Sequence, residues 1–147
     1  MTLVVDASVA CKWFVEEAGS AAAERLLSMG RALIAPDLVV PEVCNALWRK
    51  STTGEISSDQ LSDSVDDLVG FYDDLVPTMA LAARATAMAS TMGHPVYDCF
   101  YVALAERLGS QLVTADKELM KRLSRTDWSS LAIMLVDAES VLGQPQP

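Results

Sequence analysis

Four acidic residues have the types and spacing to act together chemically: Asp6, Glu42, Asp98 and Asp116. Three of them interrupt apolar patterns, because Asp6 follows the run LVV, Asp98 lies within VYDCFY, and Asp116 follows LVTA. A carboxylate among apolar residues costs solvation free energy unless it is hydrogen-bonded, paired or bound to a cation. The placement of these acids therefore predicts a specific task for them.

Strand-like and helix-like segments alternate along the chain and decide where the acids lie. Short apolar or β-branched runs predict strands at residues 2–5, 32–35, 75–77, 111–114 and 132–136. Helical spacing predicts helices at 8–17, 20–29, 57–72, 80–92, 97–108 and 116–123, and another that begins between 37 and 41 and ends at 50. This alternation predicts an α/β domain of three α/β/α layers with a short, mostly parallel central sheet.

Binding sites in such sheets form at the carboxyl ends of the strands. Asp6 ends the first predicted strand and Asp116 follows the fourth, so both reach that edge. Asp98 lies near the start of the helix that leads into the fourth strand, and this helix must run antiparallel to the strand. Its amino end, with Asp98, is therefore expected at the same edge.

Glu42 belongs to a narrow polar stripe on its predicted helix. Glu42, Asn45 and Arg49 share one face, while apolar residues mark another. If the four carboxylates converge, their repulsion is unfavourable unless a cation lies between them. Hard divalent ions prefer oxygen ligands, and the chain offers no cluster of His or Cys, so the pattern predicts Mg²⁺ or Mn²⁺.

The composition predicts a single cytoplasmic domain over residues 1–147. A chain of this length with 51% hydrophobic residues can bury a sizeable core. No uncharged apolar run approaches the roughly 18 residues of a membrane span, and the amino terminus lacks the pattern of a secretory signal. Three widely spaced cysteines favour neither a disulfide framework nor a zinc site.

The net charge of −9 argues at first against a nucleic-acid partner, because phosphate binding relies on Lys and Arg. Most of this charge, however, comes from acids between residues 55 and 74, a stretch without Lys or Arg. That stretch predicts an amphipathic helix with a solvated acidic face. The rest of the chain is close to neutral, so an RNA partner stays compatible with the composition.

Four segments, VVDASV, PEVCNAL, YDCFYVALAERLG and LVTADKEL, resemble in order and spacing the acidic motifs of PIN-domain ribonucleases, closest to the VapC-type toxins of bacterial toxin–antitoxin pairs. The resemblance spans nearly the whole chain. It implies that Asp6, Glu42, Asp98 and Asp116 bind one or two Mg²⁺ or Mn²⁺ ions in an endoribonuclease that hydrolyses RNA phosphodiester bonds. It also implies a small antitoxin as partner, in a homodimer or a toxin–antitoxin hetero-oligomer.

Further residues are candidates for supporting roles in that site. By the same resemblance, Ser8 matches a small polar position of the first motif and Thr114 a hydroxyl position before the last acid. Asn45 lies one helical turn after the acid of its helix. Whether Glu118 supplies an additional acid stays open.

Basic residues on the helix after the last acid are candidates for contacts with flanking RNA phosphates. They are Lys117, Lys121 and Arg122. A solvated basic helix end, stabilised by the helix dipole, explains them equally well.

Each acid alone has a simpler explanation. Asp6, Asp98 and Asp116 can cap helices, and Glu42 can pair with Arg49. A non-enzymatic acidic interaction module, in which the carboxylates only cap helices, is therefore one alternative, and metal titration separates it from an enzyme. Four independent capping or pairing roles at the same edge of the sheet are nevertheless less probable than a single metal site.

A second enzyme hypothesis is a metal phosphohydrolase of the haloacid-dehalogenase type, with Asp6 as covalent nucleophile. That site needs a second Asp two residues later, where this chain has Ser8. Outside the acids, His94 precedes a proline in a turn, which favours a structural or exposed role. The early aromatic residues belong either to the core or to a groove for a partner, a choice the sequence leaves open; they are Trp13, Phe14 and Trp48.

Overall fold

Five parallel strands form the central sheet of the computed structural model, which describes residues 1–143. The strands are β1 (Thr2–Val5), β2 (Ala32–Pro36), β3 (Asp74–Val76), β4 (Gln111–Thr114) and β5 (Ala132–Met134). Their order across the sheet is β3-β2-β1-β4-β5. The predicted mostly parallel sheet is confirmed, and every neighbouring pair in it is parallel.

Among the described residues, eight helices flank this sheet and complete the predicted α/β/α architecture. They are α1 (Ala7–Ala10), α2 (Ser20–Leu27), α3 (Val39–Thr52), α4 (Ser58–Leu68), α5 (Ala82–Met92), α6 (Val96–Leu108), α7 (Lys117–Leu123) and α8 (Leu135–Leu142). Short 3₁₀ turns lie at Cys11–Trp13, Val69–Phe71, Thr78–Ala80 and Ser129–Leu131. None of the helices within residues 1–143 is long and apolar enough to cross a membrane.

The centre of the core lies where α6 packs against the sheet. This helix contacts β1, β2 and β4, and it also packs along α5. Six of its residues are buried: Cys99, Tyr101, Val102, Ala103, Leu104 and Ala105. A helix that is apolar on most of its faces is stable in water only when other elements cover it, so α6 is held firmly against the strands that lead to the site.

Two sequence predictions of elements are wrong. The strand predicted at 132–136 ends at Met134, and α8 follows directly. Leu135, Ala138 and Leu142 are buried at helical spacing in α8, but the preceding apolar run hides this period. The helix predicted at 8–17 is limited to α1 and the 3₁₀ turn after it.

The predicted single domain at 1–147 includes residues 144–147, which lie outside the described residues.

The order of the strands fixes where a site can form. The chain proceeds from β1 outward through β2 to β3, and then crosses to the other side of β1 to form β4 and β5. The direction of winding thus reverses between β1 and β4, and such a reversal leaves a crevice at the carboxyl ends of the strands. Asp6 follows β1 and Asp116 follows β4, so two of the predicted acids border this crevice.

Candidate active site

Asp6 is the most deeply buried of the four acids, with 4% of its surface exposed. It is the N-cap of α1, and its Oδ1 accepts hydrogen bonds from the hydroxyl of Ser8 (2.6 Å) and the backbone N–H of Val9 (3.2 Å). The hydroxyl of Thr114 donates to its Oδ2. The end of β4 therefore holds the carboxylate that follows β1.

The protonation of Asp6 reflects its burial. Burial raises the pKa of Asp6 from 3.8 to about 6, although the hydrogen bonds from Ser8, Thr114 and Val9 act in the opposite direction. The negative charge of Asp98 raises this pKa further. Asp98 is therefore close enough for its charge to be felt at Asp6, even though the two residues lie on different elements.

Glu42 lies in the first turn of α3 and is half-buried. Its Oε1 accepts a hydrogen bond of 2.5 Å from the hydroxyl of Tyr101, a residue of α6. Burial raises the pKa of Glu42, the hydrogen bond from Tyr101 lowers it, and the charge of Asp98 raises it. Asp98 thus acts electrostatically on both Asp6 and Glu42, which places three of the four predicted acids in one electrostatic neighbourhood.

Asp98 lies in the first turn of α6, and 28% of its side chain is exposed. Its Oδ2 lies 2.6 Å from Nε2 of His94, one turn earlier in the chain. The His94 side chain is 8% exposed, so the predicted structural role of this residue fits better than an exposed one. The ring therefore restrains the Asp98 carboxylate through Oδ2, and Oδ1 takes no part in this contact.

Asp116 is the N-cap of α7. Its Oδ1 accepts hydrogen bonds from the backbone N–H groups of Glu118 (2.9 Å) and Leu119 (3.1 Å), so the capping role considered from the sequence is realised. Both bonds end on the same oxygen, and Oδ2 takes no part in them. Capping by Asp116 is therefore compatible with a second role at the crevice.

A small network of hydroxyl groups joins the two strand ends. The backbone N–H of Ala115 donates to the hydroxyl oxygen of Ser8 (3.0 Å), and that of Asp116 donates to the hydroxyl oxygen of Thr114 (3.1 Å). Both hydroxyls in turn donate to Asp6. Ser8 and Thr114 thus both lie beside Asp6, and their supporting role in the site stays a prediction.

The other predicted supporting residues lie near the surface. Asn45 is exposed on α3, and Glu118 pairs with Arg122 across 3.8 Å on α7. Lys117 and Lys121 are exposed on the same helix. This placement leaves α7 accessible to a phosphate backbone, and it also fits the basic helix end considered as the simpler explanation.

Two tyrosines beneath the acids were not found from the sequence. Tyr101 donates to Glu42, and Tyr72 donates to the backbone carbonyl of Val5 (2.9 Å) at the end of β1. Tyr101 follows Asp98 by three residues, a spacing that places both on neighbouring parts of α6, and this was the available signal. The pairing with α3 crosses 59 positions and has no local signature.

The donor chemistry of the site fits a hard divalent cation. The acids offer only oxygen ligands, and burial raises the pKa of the neighbouring thiols of Cys11 and Cys99 to about 11, so neither is a thiolate at neutral pH. Within residues 1–143, however, no three His, Cys, Asp or Glu side chains are grouped closely enough to hold a metal ion. The assignment of the four acids as metal ligands stays a prediction.

A separate groove of about 250 Å³ lies between the 3₁₀ turn after α1 and helix α2. It is lined by Lys12, Trp13, Val15, Glu16, Ser20, Glu24, Leu27 and Phe71. Trp13 stacks on Phe71 with ring centroids 5.2 Å apart, and Phe14 meets Phe71 edge to face at 5.3 Å. Trp13 and Phe14 are partly buried against the core, whereas 54% of Trp48 is exposed.

The model of the PIN domain family matches residues 3–126. Over 124 residues the chain is 39% identical to Ribonuclease VapC3 of Pyrobaculum aerophilum, which covers 83% of this chain and 95% of that protein. The chain therefore belongs to the PIN domain family, and the resemblance seen in the four acidic segments is confirmed.

Solved structures share the fold. PAE2754 from Pyrobaculum aerophilum superposes with a TM-score of 0.70 at 23% identity, over 97% of this chain and 95% of that one. VapBC2 from Rickettsia felis, solved with a DNA fragment from its promoter, gives 0.64 at 11% identity over 91% and 98%. VapBC-1 from nontypeable Haemophilus influenzae gives 0.57 at 16% identity over 88% and 99%. These likenesses establish the three-layer architecture.

Proposed function

We propose that this protein is a Mg²⁺- or Mn²⁺-dependent endoribonuclease and the toxin of a toxin–antitoxin pair. The observation that carries the proposal is the buried carboxylate of Asp6 at the crevice between β1 and β4, within electrostatic reach of Asp98, which also acts on Glu42. Membership of the PIN domain family and the 39% identity to Ribonuclease VapC3 support the same conclusion.

The residues that would hold the cation are the four acids Asp6, Glu42, Asp98 and Asp116. A divalent ion held there would supply an activated water for hydrolysis and would offset negative charge on the phosphate. Ser8 and Thr114 fix the orientation of the Asp6 carboxylate through their hydroxyls. Such an arrangement would need no nucleophilic side chain, because the cation would activate water instead.

Binding of the RNA backbone falls to residues around the crevice. Basic residues on α7 are candidates for contacts with phosphates on either side of the cleaved bond. They are the exposed Lys117 and Lys121 and the half-buried Arg122, which also pairs with Glu118. Asn45 on α3 and Glu118 on α7 are exposed and are candidates for contacts at the edge of the site.

A small antitoxin is the proposed partner, in a homodimer or a toxin–antitoxin hetero-oligomer in the cytoplasm. Two relatives in fold are VapBC proteins, which supports a partner of this kind. The groove beside Trp13 combines aromatic surface with the carboxylates of Glu16 and Glu24. An antitoxin segment with apolar and basic side chains matches that chemistry.

The experiment that tests the proposal incubates the purified protein with a labelled RNA pool, with Mg²⁺ or Mn²⁺ and with chelator. Cleavage should require the metal. Asp6→Asn and Asp98→Asn should each lower the rate by about 100-fold, which corresponds to about 2.7 kcal/mol of lost transition-state stabilisation.

Asp63→Asn is the matched control, because it removes one carboxylate from the exposed face of α4. At saturating RNA its rate should equal that of the wild type, and all variants should remain folded by circular dichroism. Full cleavage by the wild type in chelator would contradict metal dependence. Absence of cleavage together with absence of metal binding would favour the non-enzymatic module, in which the carboxylates only cap helices.

The haloacid-dehalogenase hypothesis loses support from the geometry. Both carboxylate oxygens of Asp6 accept hydrogen bonds from protein groups, and the residue is almost fully buried. A covalent nucleophile must reach the phosphorus atom, which this position hinders. Ser8 occupies the position where that mechanism needs its second aspartate.

A further inference from the structure

The hydroxyl of Tyr101 joins α6 to Glu42 on α3 at the level of the proposed site. The donor–acceptor distance is 2.5 Å, and 1% of the tyrosine is exposed. A charge-assisted hydrogen bond of this length is strong, and burial shields it from water. The position of the Glu42 carboxylate therefore depends on a side chain from the same helix that carries Asp98.

Glu42 needs such a restraint because its side chain is long. A glutamate rotates about three bonds, and fixing it in one conformation costs conformational entropy. Within the described residues, the hydrogen bond that reaches its carboxylate comes from Tyr101. Burial and the charge of Glu42 raise the pKa of Tyr101 far above its ordinary range, so the phenol keeps its proton and stays a donor at every pH of interest.

We infer that Tyr101 is a positioning residue for the nuclease reaction: by binding Oε1 of Glu42 it directs Oε2 toward the cation proposed to lie between the acids. The inference rests on the proposed function. Partners of this kind, which bind the ligands rather than the metal, commonly change metal affinity by about 10- to 100-fold when they are removed. Through Tyr101, the metal affinity of the site would depend on how α6 packs against Glu42 on α3.

Tyr72 provides a matched control. It is also buried, with 8% exposed, but its hydroxyl donates to the backbone carbonyl of Val5 instead of a carboxylate. Tyr72→Phe and Tyr101→Phe therefore remove the same buried O–H group with little change in volume. A general loss of packing or hydrogen bonding would appear in both variants.

The experiment measures Mn²⁺ affinity by calorimetry, together with RNA cleavage and thermal melting, in both variants. Tyr101→Phe should raise the Kd for Mn²⁺ by about tenfold and raise by a similar factor the Mn²⁺ concentration that gives half-maximal cleavage. Saturating Mn²⁺ should restore most of the cleavage rate. Tyr72→Phe should change the Mn²⁺ affinity by less than about twofold at a similar melting temperature.

A double variant separates positioning from stability. In a Glu42→Gln background, Tyr101→Phe should cause no further loss of Mn²⁺ affinity, because the charged carboxylate that it positions is already gone. The same fold-change in both backgrounds would overturn the inference, as would wild-type Mn²⁺ affinity in Tyr101→Phe. If the wild type itself neither binds Mn²⁺ nor cleaves RNA, the proposed function fails, and the inference fails with it.

Discussion

Asp6 is a carboxylate that the fold keeps dehydrated at neutral pH. Its pKa is raised to about 6 because burial disfavours the ionised form more than Ser8, Thr114 and Val9 stabilise it. The folded chain therefore binds the Asp6 proton more tightly than the unfolded chain, whose ordinary value is 3.8. A cation beside the carboxylate offsets the cost of ionising Asp6 in a buried position. Metal binding should therefore stabilise the folded protein.

The pH dependence of this effect has a definite sign. Ionised Asp6 destabilises the metal-free protein fully above pH 6, and the destabilisation disappears as the pH falls toward 3.8. In chelator, the unfolding free energy of the wild type should therefore rise relative to that of Asp6→Asn by about 2 kcal/mol between pH 7.5 and pH 4.5.

Urea denaturation of both proteins across that range checks the prediction. The comparison with Asp6→Asn cancels carboxylates that titrate in the opposite direction, such as Glu17 and Glu106, whose pKa values are lowered by lysine and arginine partners. If the difference in unfolding free energy between the wild type and Asp6→Asn does not vary with pH, ionisation of Asp6 does not destabilise the folded protein.

Helix α7 has a cap that also belongs to the proposed site, and two substitutions separate these roles. Asparagine caps helices about as well as aspartate, whereas alanine does not. Asp116→Asn should keep the melting temperature and lower cleavage by at least about tenfold, and Asp116→Ala should in addition lose about 1 kcal/mol of stability.

Ser57 supplies the control for this prediction. It forms a capping box with Gln60 at the start of α4, a helix that carries none of the four proposed metal ligands. Ser57→Ala should lose a similar amount of stability, measured by urea denaturation, while RNA cleavage stays at the wild-type level. Normal cleavage by Asp116→Asn would leave Asp116 as a cap alone.

At the level of helices and strands, most elements were predicted from the spacing of apolar residues, and the position of the acids was predicted from the ends of the strands. The run LVTA before Asp116 marks β4, and parallel strands bring their carboxyl ends to one edge. Helix α8 was missed because its apolar residues follow directly on those of β5. The bond from Tyr101 to Glu42 could not be predicted, since it depends on how α6 and α3 pack rather than on either sequence.

At the scale of the whole molecule, helix α4 exposes four acidic residues and no basic one. The exposed acids of α4 are Asp59, Asp63, Asp66 and Asp67. They repel RNA at distances up to a Debye length, which is about 10 Å at 0.1 M salt. Approach of the substrate is therefore expected to be slower than the basic residues on α7 alone would allow.

Conversion of these four aspartates to asparagine should lower the KM for RNA by about threefold to tenfold at low salt. The gain should shrink to less than about twofold at 0.5 M salt, because screening removes long-range repulsion. Cleavage kinetics at several salt concentrations measure the effect. The corresponding Asp→Glu variant keeps the charge and should have the KM of the wild type. If the asparagine variant also has the wild-type KM at low salt, the prediction is contradicted.

β1 lies at the middle of the sheet, yet it is translated before the other four strands. One of the two hydroxyls that bind Asp6 comes from Thr114, which is 108 positions later in the chain. While the protein is being translated, Asp6 emerges without β4 beside it, and the acids at 98 and 116 have not yet been added. A nascent chain of this kind cannot assemble its site until most of it has left the ribosome. The proposed RNA cleavage can therefore begin only after Asp116 has been translated.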